Sequence, residues 1–175
     1  MKFVLVIMIT VSLSFAGITI YGDVDLAGQW QASVSGVSVG INQGGGLGLG
    51  LEHTKDSTPG DPSSSVFGGR FQLDRALTGG ATYHFHTIYG QYLYSINDKL
   101  ALGGEINYSI HGGNSTYASG ATLGGTIGYA VVAQYSMSTF TVKGGYRVAN
   151  GTANSGSTSM AVNSSGLFLQ FGIPL

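Results

Sequence analysis

The segment 167–175 reads LFLQFGIPL. Leu167, Leu169, Phe171, Ile173 and Leu175 are large and apolar, with Phe168, Gln170, Gly172 and Pro174 between them. Successive side chains of a strand point to opposite faces, so this spacing predicts a strand with one apolar and one mixed face. Five other segments share the period. Leu47, Leu49 and Leu51 alternate with Gly48, Gly50 and Glu52. Phe67, Gly69, Phe71 and Leu73 alternate with Val66, Gly68, Arg70 and Gln72. Leu100, Leu102, Ile106, Tyr108 and Ile110 stand against Ala101, Gly103, Glu105, Asn107 and Ser109. Ile127, Tyr129, Val131 and Tyr135 stand against Gly128 and Gln134, and Phe140, Val142 and Tyr146 against Lys143 and Arg147. In these five segments every charge falls on the non-apolar face, which helical spacing does not produce.

Stretches rich in Gly, Asn, Asp, Ser and Pro separate the strands: 42–45, 55–65, 74–79, 96–98, 112–119, 136–139 and 150–159. They have the composition of turns. The long ones at 55–65, 112–119 and 150–159 are expected to face outward together. The apolar phase flips twice, once between Ile18 and Ile41 and once between Tyr83 and Tyr92. Flips that are bulges or irregular joins give eight strands, and flips that are hairpins give ten. The chain length favours eight.

The first residues add a destination. Lys2 precedes the apolar run FVLVIMITVSLSF, and Ser14-Phe15-Ala16 has small-x-small form. This is the layout of a secretory signal peptide over 1–16, leaving a single domain over 17–175. After Ala16 there is no apolar run long enough for a membrane-spanning helix. Charged residues make up only 9% of the chain, and six Lys/Arg after Ala16 face eight Asp/Glu, a net of −2. That composition excludes a basic nucleic-acid surface. There is no cysteine, so no disulfide supports the exported chain. Export, little charge and alternating apolarity together predict a transmembrane antiparallel up-and-down β-barrel, which pairs every backbone polar group within the bilayer. Aromatic residues such as Tyr92, Tyr94, Tyr108, Tyr129, Tyr135, Phe140 and Phe171 are expected near the strand ends, at the lipid interface.

In such a barrel the polar face turns inward. It would carry Asp23, Asp25, Glu52, Arg70, His84, His86, Glu105, Lys143 and Arg147. The interior of an eight-stranded barrel is barely wide enough for side chains, so these charges are expected to pair in a lumen network. Inward glycines (Gly48, Gly50, Gly68, Gly103, Gly124, Gly128, Gly145) are expected to leave room for the long basic side chains.

The alternating C-terminal strand ending at Leu175 resembles the insertion signal of Gram-negative outer-membrane proteins, which usually ends in an aromatic residue. The stretch ITIYGDVDLAG, through Tyr21, Gly22, Asp23 and Asp25, is similar to the first strand of general porins, which are about twice as long. The resemblance implies a porin-like small outer-membrane β-barrel in outer-membrane lipid, assembled by the barrel-insertion machinery, with its last strand paired to its first.

Specific chemistry is sparse. His84 and His86 have workable metal spacing, but sequence pins no third ligand. His111 beside Ser109 and Ser115, or with Asp98, fixes no nucleophile–base pair. GGGLGLG lacks the Lys-Ser/Thr of a phosphate loop. No catalytic residue, metal or cofactor is assigned. The expected function is that of an integral outer-membrane protein with a plugged polar interior and exposed loops, in a structural or surface-interaction role with an extracellular partner that the sequence leaves unnamed. A narrow channel for small solutes or ions, and a lipid-modifying enzyme, are the alternatives.

Overall fold

The period-two segments form strands throughout. The computed structural model describes residues 17–35, 37–43, 45–56, 60–73, 75–76, 82–83, 86–110, 121–125, 127–155 and 157–175, and the segment 1–16 expected to be a signal peptide lies outside them. The strands are β1 (Ile18–Val34), β2 (Val37–Gln43), β3 (Gly46–Asp56), β4 (Ser63–Gln72), β5 (Arg75–Ala76), β6 (Thr82–Tyr83), β7 (His86–Ser95), β8 (Leu100–Ile110), β9 (Ala121–Gly125), β10 (Ile127–Ser136), β11 (Thr141–Ser155) and β12 (Thr158–Pro174).

The twelve segments make eight staves. β2 and β3 both pair with β1 and form one stave interrupted at 44–45. β9 and β10 both pair with β11 and form another, interrupted at 126. The antiparallel ladder runs β1–β3–β4–β7–β8–β10–β11–β12, and β12 returns to β1. The first and last strands pair from Thr19↔Pro174 to Ser33↔Ala161, and this pairing closes the barrel. The short β5–β6 ladder extends the hairpin made by β4 and β7. Closure pairs the edges of the first and last staves with each other.

The count is eight, but two boundaries differ from the sequence expectation. The break expected at 42–45 is a join within one stave. The reversal lies earlier, between Val34 and Val37, where Ser35 adopts a left-handed φ of 47°. The flip between Ile18 and Ile41 is thus a hairpin, added to a bulge in β1, where the register against β12 slips between Asp25 and Ala27. Near 83–92, β6 pairs with β5 and β7 with β4, so the flip is not a hairpin. One missed turn and one spurious turn offset each other.

The two barrel ends differ. Gly17 and the C-terminal Leu175 lie at one end, with the connections between β3 and β4, β7 and β8, and β10 and β11; Thr54 donates its backbone N–H to the Gly17 carbonyl there at 2.8 Å. At the other end β1 turns into β2, β8 leads toward β9, and β11 turns into β12. The described part of 55–65 therefore sits at the opposite end from 150–159, and 112–119 lies outside the described residues. The segment 150–159 is itself mostly strand, because β11 and β12 stay paired up to Ser155↔Thr158.

Burial is inverted relative to a soluble domain. Leu47, Leu49, Leu51, Phe67, Phe71, Ile88, Ile106, Ile127, Val131, Leu167, Phe171 and Ile173 are exposed, while Arg70 and Lys143 are each only 2% exposed. Tyr92, Tyr94, Tyr135 and Phe140 lie outward near the terminal end. Beyond the Asp25 level, the stretches 28–43 and 149–165 contain no Asp, Glu, Lys or Arg. Gln29, Gln31, Ser33, Ser38, Asn150, Asn154 and Ser159 line this uncharged extension, where Asn163 donates to Asn150 at 2.6 Å.

Candidate functional site: the charged lumen

Alternation on five staves places seven ionic side chains inside the barrel. Asp23 and Asp25 come from β1, Glu52 from β3, Arg70 from β4, Glu105 from β8, and Lys143 and Arg147 from β11. All seven are buried. Three cross-lumen pairings organise them. Arg70 grips Glu105 with both terminal nitrogens, Nη1 lying 3.3 Å from Oε2 and Nη2 closing on Oε1. Lys143 Nζ bonds Glu52 at 2.7 Å and the Gln91 side-chain oxygen at 3.0 Å. Arg147 Nη2 pairs with Asp23, and its Nε lies 3.4 Å from Asp25.

Neutral groups join these pairs into one network. Gln91 and Asn107 donate to the two oxygens of Glu105, at 2.8 and 3.0 Å. The Tyr89 hydroxyl lies 3.0 Å from Glu52 and 2.9 Å from the Tyr21 hydroxyl. The Arg70 guanidinium stacks on the Tyr89 ring with 4.4 Å to its centroid, and that of Arg147 stacks on Phe168 at 4.1 Å. A charge taken out of water is tolerated when it is paired, and each ionic side chain here has an oppositely charged partner, although Arg70 Nε and Arg147 Nη1 make no hydrogen bond among the described residues.

The inward glycines have a different task from the one expected. In the strand register, Gly50 stands opposite Tyr21, Gly68 opposite Tyr89, Gly103 opposite Leu93, and Gly145 opposite Phe168. Each gap receives the large side chain from the neighbouring strand. A Cβ on Gly50 would lie 2.2 Å from Tyr21 Cζ, and one on Gly68 would lie 2.4 Å from Tyr89 Cζ. The rings lie flat on the wall, and this brings the Tyr89 hydroxyl to Glu52.

Tyr21, Tyr89, Gln91, Asn107 and Phe168 thus belong to the site, although sequence reading did not place them in the network. Their signal was present: Tyr21 shares its parity with Asp23, and Tyr89 and Gln91 have the opposite parity to the outward Tyr92 and Tyr94. His86 moves the other way. It shares the outward phase of Ile88 and faces Phe71 on the outer wall, with ring centroids 5.5 Å apart, so it is not a lumen residue. Within β7 the even-numbered residues face outward, so the parity read from Ala81, Tyr83 and Phe85 does not apply to His86. His84 lies outside the described residues. No group of three His, Cys, Asp or Glu able to hold a metal occurs among the described residues.

Of the serine–histidine alternative, only Ser109 and Asp98 are among the described residues. Ser109 is fully buried in the lumen wall, and Asp98 lies in the turn at the terminal end, a barrel length from the end of β8. His111 and Ser115 lie outside the described residues. The C-terminal set Leu167, Phe171, Ile173 and Leu175 is exposed on the outer wall, with Leu169 half-buried beside them.

A closed barrel that turns leucine, isoleucine and phenylalanine outward and carboxylates and guanidinium groups inward has the architecture of a transmembrane β-barrel. No protein-family model matches the chain, and no curated protein matches it. Among solved structures, Neisserial surface protein A (NspA) is 13% identical, covering 91% of this chain and 98% of its own, with a TM-score of 0.48. Ail, the attachment invasion locus protein of Yersinia pestis, is 11% identical, covering 89% of this chain and 99% of its own, with a TM-score of 0.46.

Proposed function

We propose that the chain is an integral outer-membrane protein of a Gram-negative bacterium whose lumen is sealed and whose role lies at its uncharged polar rim, in contact with an extracellular partner. The lumen network carries this reading. Seven ionic side chains, three neutral partners and the inward aromatic rings occupy the interior, so a permeating ion would have to displace charge-assisted hydrogen bonds. The apolar outer face and the C-terminal strand support residence in outer-membrane lipid and insertion by the cellular machinery. The rim offers Gln, Asn, Ser and Thr on paired strands, chemistry suited to hydrogen bonding with a neutral polar partner.

Bilayer conductance tests the seal. Purified barrel reconstituted in a planar bilayer is expected to show no conductance steps above the bare bilayer. Regular, reproducible steps from the wild type would instead establish the narrow-channel alternative.

Orientation is tested separately. Short turns and termini of such barrels face the periplasm. In intact cells a membrane-impermeant maleimide is expected to label Ser157→Cys and to leave Asp98→Cys unlabelled until the cells are broken. The reverse pattern would turn the barrel over and remove the surface role.

A further inference from the structure

β12 keeps one parity along its length, so its outer row can be followed up the wall. Ile173, Phe171, Leu169 and Leu167 face outward, and the next positions of the same row are Ser165, Asn163, Ala161 and Ser159. The inner row loses its ions over the same step, and the buried positions beyond Arg147 include Ala32, Gly151, Val162 and Ser164. Above Leu167 the wall therefore exchanges the polarity of a membrane barrel for that of a soluble sheet. Cross-strand register carries the change to both neighbours, because directly paired residues share a face. Tyr146↔Leu167 is followed by Asn150↔Asn163 two positions on, and across the seam Gln29 meets Ser165 and Gln31 meets Asn163. Tyr146 and Tyr129 are exposed at the border, where the aromatic girdle of a membrane barrel lies.

The outcome is a collar of amides and hydroxyls directly above an apolar wall. Gln31, Asn163 and Asn150 stand side by side on three adjacent strands. Asn163 donates to Asn150 at 2.6 Å, and Asn150 donates to the Ile127 carbonyl at 2.6 Å, which fixes both amides. Among the described residues no further side chain engages the Asn163 oxygen or the exposed Gln31 amide. Each amide offers a donor and an acceptor, the complement of adjacent hydroxyl groups. Charge narrows the choice of partner. Neither 28–43 nor 149–165 contains Asp, Glu, Lys or Arg, so an ionic head group laid here would lose water without gaining a countercharge. Position narrows it again. The collar continues the outward rows that carry Leu167 and Phe171, so a molecule whose chains lie on those residues brings its head to Ser165 and Asn163.

We propose that this collar binds the neutral glycan head group of a surrounding glycolipid, with Gln31 and Asn163 on the sugar hydroxyls and the lipid chains on Leu167 and Phe171. The site rests on the membrane-barrel reading alone and needs no particular lumen state or orientation, so it fails independently of the conductance and labelling tests. The test places ¹⁵N-labelled barrel in phosphatidylcholine nanodiscs doped with increasing digalactosyl diacylglycerol or, in parallel, phosphatidylglycerol. The side-chain amide signals of Gln29, Gln31 and Asn163 are followed by NMR. Saturable shifts with the galactolipid and none with the anionic lipid are expected. Free galactobiose at matched concentration separates soluble sugar from lipid-borne sugar and is expected to give no saturable shift. The double variant Gln31→Val with Asn163→Val, read on Gln29, is expected to weaken galactolipid binding about tenfold or more through loss of two hydrogen-bonding amides. Gln31→Lys is expected to turn the preference toward phosphatidylglycerol. If the double variant does not fold, Gln31→Lys and the lipid series decide. Equal responses to the two lipids, equally tight binding of free galactobiose, absence of saturable shifts, or undiminished binding in the folded double variant would overturn the collar.

Discussion

Glu105→Leu is expected to destabilise the folded barrel by about 3–5 kcal/mol, the range for removing one partner of a buried ion pair. Glu105 accepts two bonds from Arg70 and one each from Gln91 and Asn107. Its loss leaves a fully buried guanidinium with no countercharge at that position and two amide donors unanswered. The neighbouring Ile106→Leu alters only an outward aliphatic side chain and is expected to stay within about 1 kcal/mol of the wild type. Urea unfolding midpoints in detergent micelles, followed by the mobility difference between folded and unfolded barrel, measure both. Adding Arg70→Met to Glu105→Leu is expected to restore part of the loss, because the stranded charge is then gone. Equal midpoints for Glu105→Leu and Ile106→Leu would show that the network contributes nothing to stability.

Gly68→Ala is the second large effect expected. The added methyl would sit 2.4 Å from Tyr89 Cζ and 2.9 Å from the Leu51 carbonyl oxygen, and the latter is backbone and cannot rotate away. The Tyr89 ring must lift off the wall, which disturbs its bond to Glu52 and its stacking under Arg70. The cost is expected at the upper end of the roughly 1–3 kcal/mol typical of overpacking. Gly69→Ala, one residue along and facing outward, meets nothing closer than the Thr87 carbonyl at 3.7 Å. It is expected to shift stability by less than about 0.5 kcal/mol, as ordinary surface substitutions do. Unfolding midpoints of the two alanine variants give the comparison, and a smaller effect at 68 than at 69 would refute the ring-seating role.

These two positions show what could be read in the residues. Parity alone separated outward Ile106 from inward Glu105 and outward Gly69 from inward Gly68, since the side-chain period of a strand admits only two faces. Parity could not say what the inward glycines accommodate. That depends on cross-strand register, which sets Gly68 opposite Tyr89 and is fixed by closure of the whole barrel. His86 went to the wrong face because its parity was carried over from Tyr83 and Phe85, whereas within β7 the even positions face outward. The reversal at Ser35 was missed because Val34, Ser35 and Val37 lack the Asn-Gly or Asp-Gly signature of a tight turn, whereas the glycine-rich 42–45 has turn composition and serves as a join. The ionic residues were legible as a set, and their pairing across the lumen was not.

The span of those pairings in the chain bears on how the molecule is made. Asp23 and Arg147 are separated by 124 residues, and Glu52 and Lys143 by 91. Neither pair can form until the last strands come round to the first. A half-built sheet entering the bilayer would press these charges against hydrocarbon without their partners. Insertion and circularisation are therefore coupled events, and the nascent barrel needs a polar shelter until its final seam is sewn.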